Sequence, residues 1–236
     1  MSTTNTKQVS TSSFKPFGIK EVADVAFYPV GSVKLGSDGT ITVDKAAVLT
    51  FETLKVSNLE FTGETTEARG GKGNTIIMSW DHSREATLTL EDALLSVESL
   101  NAMLSGGKFE HTTFSADGQT GNREIISITA NGFPGTYTVI GKTYARDTDG
   151  TDQFLTFLIW KAKVSSETSF EMTADGDPST LNMTLKVLRA DQDDAIGSKK
   201  GEMIKMIIET NTTGDNTPMI TWPTATDDPE DEGEET

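Results

Sequence analysis

Along most of the chain apolar and polar residues alternate one by one, the spacing of strands with one wet face. Leu59 and Phe61 alternate with Glu60, Thr62 and Glu64, while Ala86, Leu88 and Leu90 alternate with Glu85, Thr87, Thr89 and Glu91. Phe170 and Met172 stand opposite Glu167, Ser169, Glu171 and Thr173, and Leu181, Met183, Leu185 and Val187 stand opposite Asn182, Thr184 and Lys186. The run from 154 to 160 departs from this pattern: Phe154, Leu155, Phe157, Leu158, Ile159 and Trp160 fill both phases, which fits a strand covered on both faces. Asp-Gly pairs at 38–39, 117–118, 149–150 and 175–176, with Asn131-Gly132, punctuate the runs at hairpin spacing. Strands are therefore predicted near 22–35, 40–44, 48–65, 75–80, 85–91, 108–115, 123–131, 136–146, 153–163, 167–174, 180–189 and 202–210.

Helix is scarce. Val97, Leu100 and Leu104 make one apolar stripe at helical spacing, which predicts a helix over 97–105 with Ser96 as its N-cap and Gly106 as its stop. Before it, Gly70, Gly71 and Gly73 predict a mobile turn, and Ile76, Ile77, Met78 and Trp80 a buried strand. Trp80 and Trp160 are expected in the core, and Trp222, beside Pro218 and Pro223, as a peg for the C-terminal segment.

Composition narrows the picture. At 236 residues and 35% hydrophobic, the chain suits one large mainly β domain, expected over 21–222, with a flexible N-terminal arm over 1–20 and an acidic tail over 223–236. The net charge of −16 argues against wrapping nucleic acid, and seven acids fall in the last ten residues. With no cysteine and no apolar h-region in MSTTNTKQVSTSS, folding in a reducing cytoplasm is the simplest expectation. The longest apolar run is too short to cross a bilayer as a helix.

Candidate chemistry is thin. His82 and His111 are the two histidines, and the adjacent residues Asp81-His82-Ser83 cannot form a catalytic triad by themselves, so a hairpin turn is expected there. The stretch from Asp147 to Asp152 echoes a calcium loop without its spacing or closing glutamate, and reads as an Asp-Gly turn. Gly70-Gly71-Lys72-Gly73 fits neither phosphate-binding fingerprint. No enzyme, metal or cofactor is expected. The carboxylates and hydroxyls that recur on three strands suit instead a wall that does not hold DNA phosphates.

The segment 69–107, and the late hairpin of 167–174 and 180–188 around Asp175-Gly176-Asp177-Pro178, resemble phage tail-tube (major tail) proteins. That resemblance implies a β-sandwich or partial barrel with one short α-helix, its inner sheet completed into a closed barrel by neighbouring subunits. It further implies hexameric rings stacked into a tube in the virion tail, assembled in the host cytoplasm. Glu60, Glu64, Glu85, Glu91, Glu167 and Glu171 are then lumen candidates, and Glu67, Arg69 and Lys72, on a loop over 66–74, are inter-ring candidates. Implied partners are further copies of the chain and the tape-measure, tail-terminator and baseplate or tip proteins, with DNA passing through unbound and no membrane involved. The alternatives are a tail-terminator or head-decoration protein, or a carbohydrate-binding or adhesin β-domain.

Overall fold

A computed structural model describes residues 16–19, 21–94, 96–104, 109–116, 119–128, 131–165, 169–170, 180–190 and 200–210. The strand expected over 22–35 is two strands, β2 (Asp24–Pro29) and β3 (Val33–Leu35). Gly31 turns the chain between them with φ +85°, and the Ser32 N–H and hydroxyl both donate to the Pro29 carbonyl. β4 (Ile41–Val43) returns along β3 around Asp38-Gly39, where the Asp38 carboxylate accepts hydrogen bonds from the Thr40 N–H and hydroxyl.

The expected strand over 48–65 also divides, into β5 (Leu49–Phe51) and β6 (Leu54–Gly70). By contrast the two strands expected over 75–91 are one, β7 (Thr75–Asp92), paired with β6 along its whole length. Helix α1 (Val97–Leu104) follows. Ser96 caps it as expected: its hydroxyl accepts from the Ser99 N–H (3.0 Å), and the Ser99 hydroxyl accepts from the Ser96 N–H (3.1 Å). Strands β8 (Phe109–Ala116) and β9 (Gln119–Ile126) form a separate hairpin.

The long strands β10 (Thr136–Asp147) and β11 (Asp152–Val164) form the centre. β12 (Ser169–Phe170), β13 (Leu181–Leu188) and β14 (Ile204–Thr210) complete the ladder, and β1 (Phe17–Ile19) pairs with the end of β10. The main sheet runs in the order β5-β2-β10-β11-β13-β7-β6, with β12 on β13 and β14 on β11. β11 is shared: Gln153 to Ile159 pair with β14, and Lys161 to Val164 pair with β13.

Leu49 and Phe51, from one end of this order, share a core cluster with Leu88 and Leu90 from near the other end. A flat sheet cannot bring those strands together, so the sheet curls around its core, and Ala102 and Met103 of α1 pack into the same cluster. A second cluster on the opposite face joins Ala26, Tyr28, Ile140, Leu158 and Trp160 to Val33 and Val43 of the β3–β4 hairpin. Apolar residues in both phases of β11 are explained by this double cover, each large one contributing about 1.5–3 kcal/mol by burial. The fold is thus mainly β with one short helix, and the curled sheet does not close into a barrel among the described residues. Gly106, Glu167, Glu171, Trp222, the acidic tail and most of the N-terminal arm lie outside those residues.

Candidate assembly surfaces

Register decides which side chains of β6, β7 and β13 share a face, because antiparallel partners point the same way. Ala86, Leu88 and Leu90 point into the core with Leu59 packed against it. On the other face Glu60 stands opposite Thr87, Thr62 opposite Glu85, Glu64 opposite His82, and Glu91 opposite Asn182. The structure therefore brings Glu60, Glu64, Glu85 and Glu91 onto one face, with Thr89 and Thr184 among them and Lys186 opposite Thr87. Glu60, Glu64 and Glu85 are exposed and Glu91 is half-buried.

Past Glu85 the β6–β7 pair leaves the body. Ser83 and Arg84 stand opposite Gly63 alone, a β-bulge, and Ser83 takes φ +53°. Asp81, His82 and Ser83 are thus mid-strand and not the turn that their composition suggests. Their polar groups are met across the ladder: the Thr65 hydroxyl donates to Asp81 (2.8 Å), and His82 Nε2 lies 3.4 Å from Glu64. An open cleft of ≈740 Å³ lies at the bulge, between 61–65 and 81–84.

The expected buried strand is exposed. Ile76, Ile77, Met78 and Trp80 are 50%, 69%, 60% and 48% exposed, because the hairpin projects beyond the core that covers Leu88 and Leu90. Trp160 does sit in the core, 3% exposed, and donates from Nε1 to Glu202 (3.0 Å). Strand pairing extends to Gly70, so the expected loop over 66–74 narrows to a turn at 71–74. Gly71, Gly73 and Asn74 take positive φ there, which only a residue without a β-carbon, or asparagine, adopts at low cost. Lys72 stands in this turn, and Glu67 and Arg69 pair on the strand before it (2.6 Å).

The β8–β9 hairpin is a second projection. His111 pairs with its register partner Glu124, and Arg123 lies 4.9 Å over the Phe114 ring. Both histidines of the chain thus face a cross-strand glutamate on a hairpin. In the β10–β11 turn, Asp147 Oδ1 accepts from the Asp149 and Thr151 N–H groups (2.9 and 2.8 Å), and Arg146 holds Asp152. That is an Asp-Gly turn, and no cluster of three or more potential metal ligands occurs among the described residues. Midway along β10, burial, then Glu52 and Glu21, push the Asp24 carboxyl up, and burial pulls its register partner Lys142 down against the opposing effect of Glu209.

A curled antiparallel sheet with a carboxylate face, a long open edge at β6 and an arm of exposed apolar side chains is the make-up of a mainly β assembly subunit. The profile of the YomU/Tube protein family matches residues 17–116 and 118–200, and the chain belongs to that family. Membership agrees with the tail-tube resemblance and makes it a tube-type structural protein of the virion tail. No curated protein matches the chain.

Proposed function

We propose that copies of this chain close into hexameric rings and stack into the hollow tube through which a phage ejects its DNA. The observation that carries this reading is the run β6-β7-β13-β12, with its carboxylates on one face. Each strand is antiparallel to the next, so β12 runs opposite to β6. The β12 edge of one copy can then pair with the β6 edge of its neighbour in the same antiparallel sense, all the way around a ring. Closure removes the open edges that otherwise invite aggregation.

In that barrel Glu60, Glu64, Glu85 and Glu91 face the bore, with Glu167 and Glu171 as further candidates. Carboxylates repel phosphates, so DNA slides without sticking. The hairpin end, with Glu67, Arg69 and Lys72, contacts the next ring. Tape-measure, terminator and baseplate or tip proteins meet the tube at its interior and its ends, and assembly takes place in the host cytoplasm.

Negative-stain electron microscopy of the purified protein at high concentration tests the reading. Hollow filaments with a regular axial repeat are expected. Discrete closed rings that never stack would instead mark a terminator or decoration protein, and stable single subunits a binding domain.

A further inference from the structure

Both core clusters stop short of one end of the sheet. Where β1, β10, β11 and β14 run side by side, Thr143, Ala145, Gln153 and Leu155 are buried yet belong to neither cluster. Ala145 and Thr210 stand on either side of Gln153, and Thr143 and Ile208 on either side of Leu155. Along β11, Gln153 and Leu155 share the face of Phe157 and Ile159, so this patch lies on the core side of the sheet.

Gln153 is the anomaly there. The Thr143 hydroxyl donates to the Glu21 carbonyl (2.7 Å), whereas Gln153 is 1% exposed and its Oε1 has no hydrogen-bond partner among the described residues. A buried acceptor without a donor is costly, so native structures supply one. Its surroundings are apolar, with Leu155, Phe157, Ile208 and Met206 on the same face, and Met206 is still 53% exposed. The missing group is therefore a large apolar side chain that carries one donor.

Tryptophan has that make-up, because its indole N–H donates and accepts nothing. The course of the chain supplies one. β14 ends at Thr210, the register partner of Gln153, so the chain leaves the described residues beside the orphaned acceptor. Gly214-Asp215-Asn216 then has the composition of a turn, and Met219, Ile220 and Trp222 are the next apolar residues apart from Pro218. Trp160 is held in the same manner just ahead of β14, where its Nε1 donates to Glu202.

We infer that Trp222 of the same chain seats on this face and donates its indole N–H to Gln153 Oε1. The anchor does not depend on the stacked-ring reading. It gives the acidic tail a starting point on the core side of the sheet, opposite the face that carries Glu60, Glu64, Glu85 and Glu91.

Hydrogen exchange at the three indole N–H groups, followed by nuclear magnetic resonance on single subunits at low concentration, tests the anchor. Trp80→Phe and Trp222→Phe assign the signals. If Trp222→Phe fails to fold, Glu202→Gln, which moves the Trp160 signal, assigns the third by elimination. The Trp222 indole is expected to exchange at least about tenfold more slowly than that of Trp80, and to lose this protection in Gln153→Leu. Should Gln153→Leu fail to fold, a nuclear Overhauser contact between the Trp222 indole N–H and the Gln153 side-chain amide in wild type is the expected result in its place.

Exchange at Trp222 as fast as at Trp80 would overturn the anchor, and so would protection that survives Gln153→Leu or the absence of that contact. Protection that arises only after assembly would give the segment to a neighbouring copy and overturn it too. Whether filaments form at all bears on the tube reading alone.

Discussion

Gly141 lies under the ring of Phe157 so closely that a β-carbon there would come within 1.9 Å of Cζ. Because β10 and β11 are paired on both sides, neither can retreat, and Gly141→Ala is expected to cost about 3 kcal/mol or more by overpacking. Urea unfolding measures this, and Phe157→Leu in the same chain should recover part of the loss. Asp24 behaves in the opposite way. Its carboxyl is pushed up by burial and then by Glu52 and Glu21, so its ionised form weighs against the folded state above the folded pKa. On acidification the folded protein takes up this proton before the unfolded chain does. Asp24→Asn is therefore expected to raise Tm at neutral pH, with the gap closing as pH falls into the carboxylate range. Neither residue was legible beforehand, since a glycine's neighbour and a carboxylate's burial depend on strands distant in sequence.

For single elements, legibility followed how local the cause was. The 97–105 helix and its Ser96 cap were readable because stripe and cap lie within a few residues of each other, and Ser96→Ala is expected to lower stability by about 1 kcal/mol in urea melts. The alternation that put Glu60, Glu64, Glu85 and Glu91 on polar faces was equally local, and register placed those faces side by side. Exposure of Ile76, Met78 and Trp80 was not readable. Their apolar pattern looks like that of any covered strand, yet the described residues leave them exposed. The bulge left one trace, the polar quartet from Asp81 to Arg84, which composition alone turns into a turn. If the carboxylate face lines a bore, tubes of the Glu60→Lys, Glu85→Lys double variant should retain short DNA at low salt and release it as salt rises. Fluorescence anisotropy would show this, and double-variant tubes that bind no more DNA than wild type would remove these residues from the wall.

At the scale of the whole molecule, net charge sets the terms of association. Copies carrying −16 repel over a Debye length of about 30 Å at 0.01 M salt and about 8 Å at physiological strength. Polymerisation followed by light scattering is therefore expected to speed up as salt rises through that range, and a rate that falls with salt would mean that opposite-charge contacts dominate the interface. The mainly β class was legible from alternation, but strand order was not. Nothing in the 153–163 run announces that its first half pairs with β14 and its second half with β13.

That divided strand has a mechanical consequence. A pull along the β6–β7 arm passes through β13 into one half of β11 only, while β14 grips the other half from the same side. Antiparallel ladders loaded along their strands share the force among all their bonds at once, whereas ladders peeled from an end break one bond at a time. The chain should thus resist tension along its strands far better than peeling.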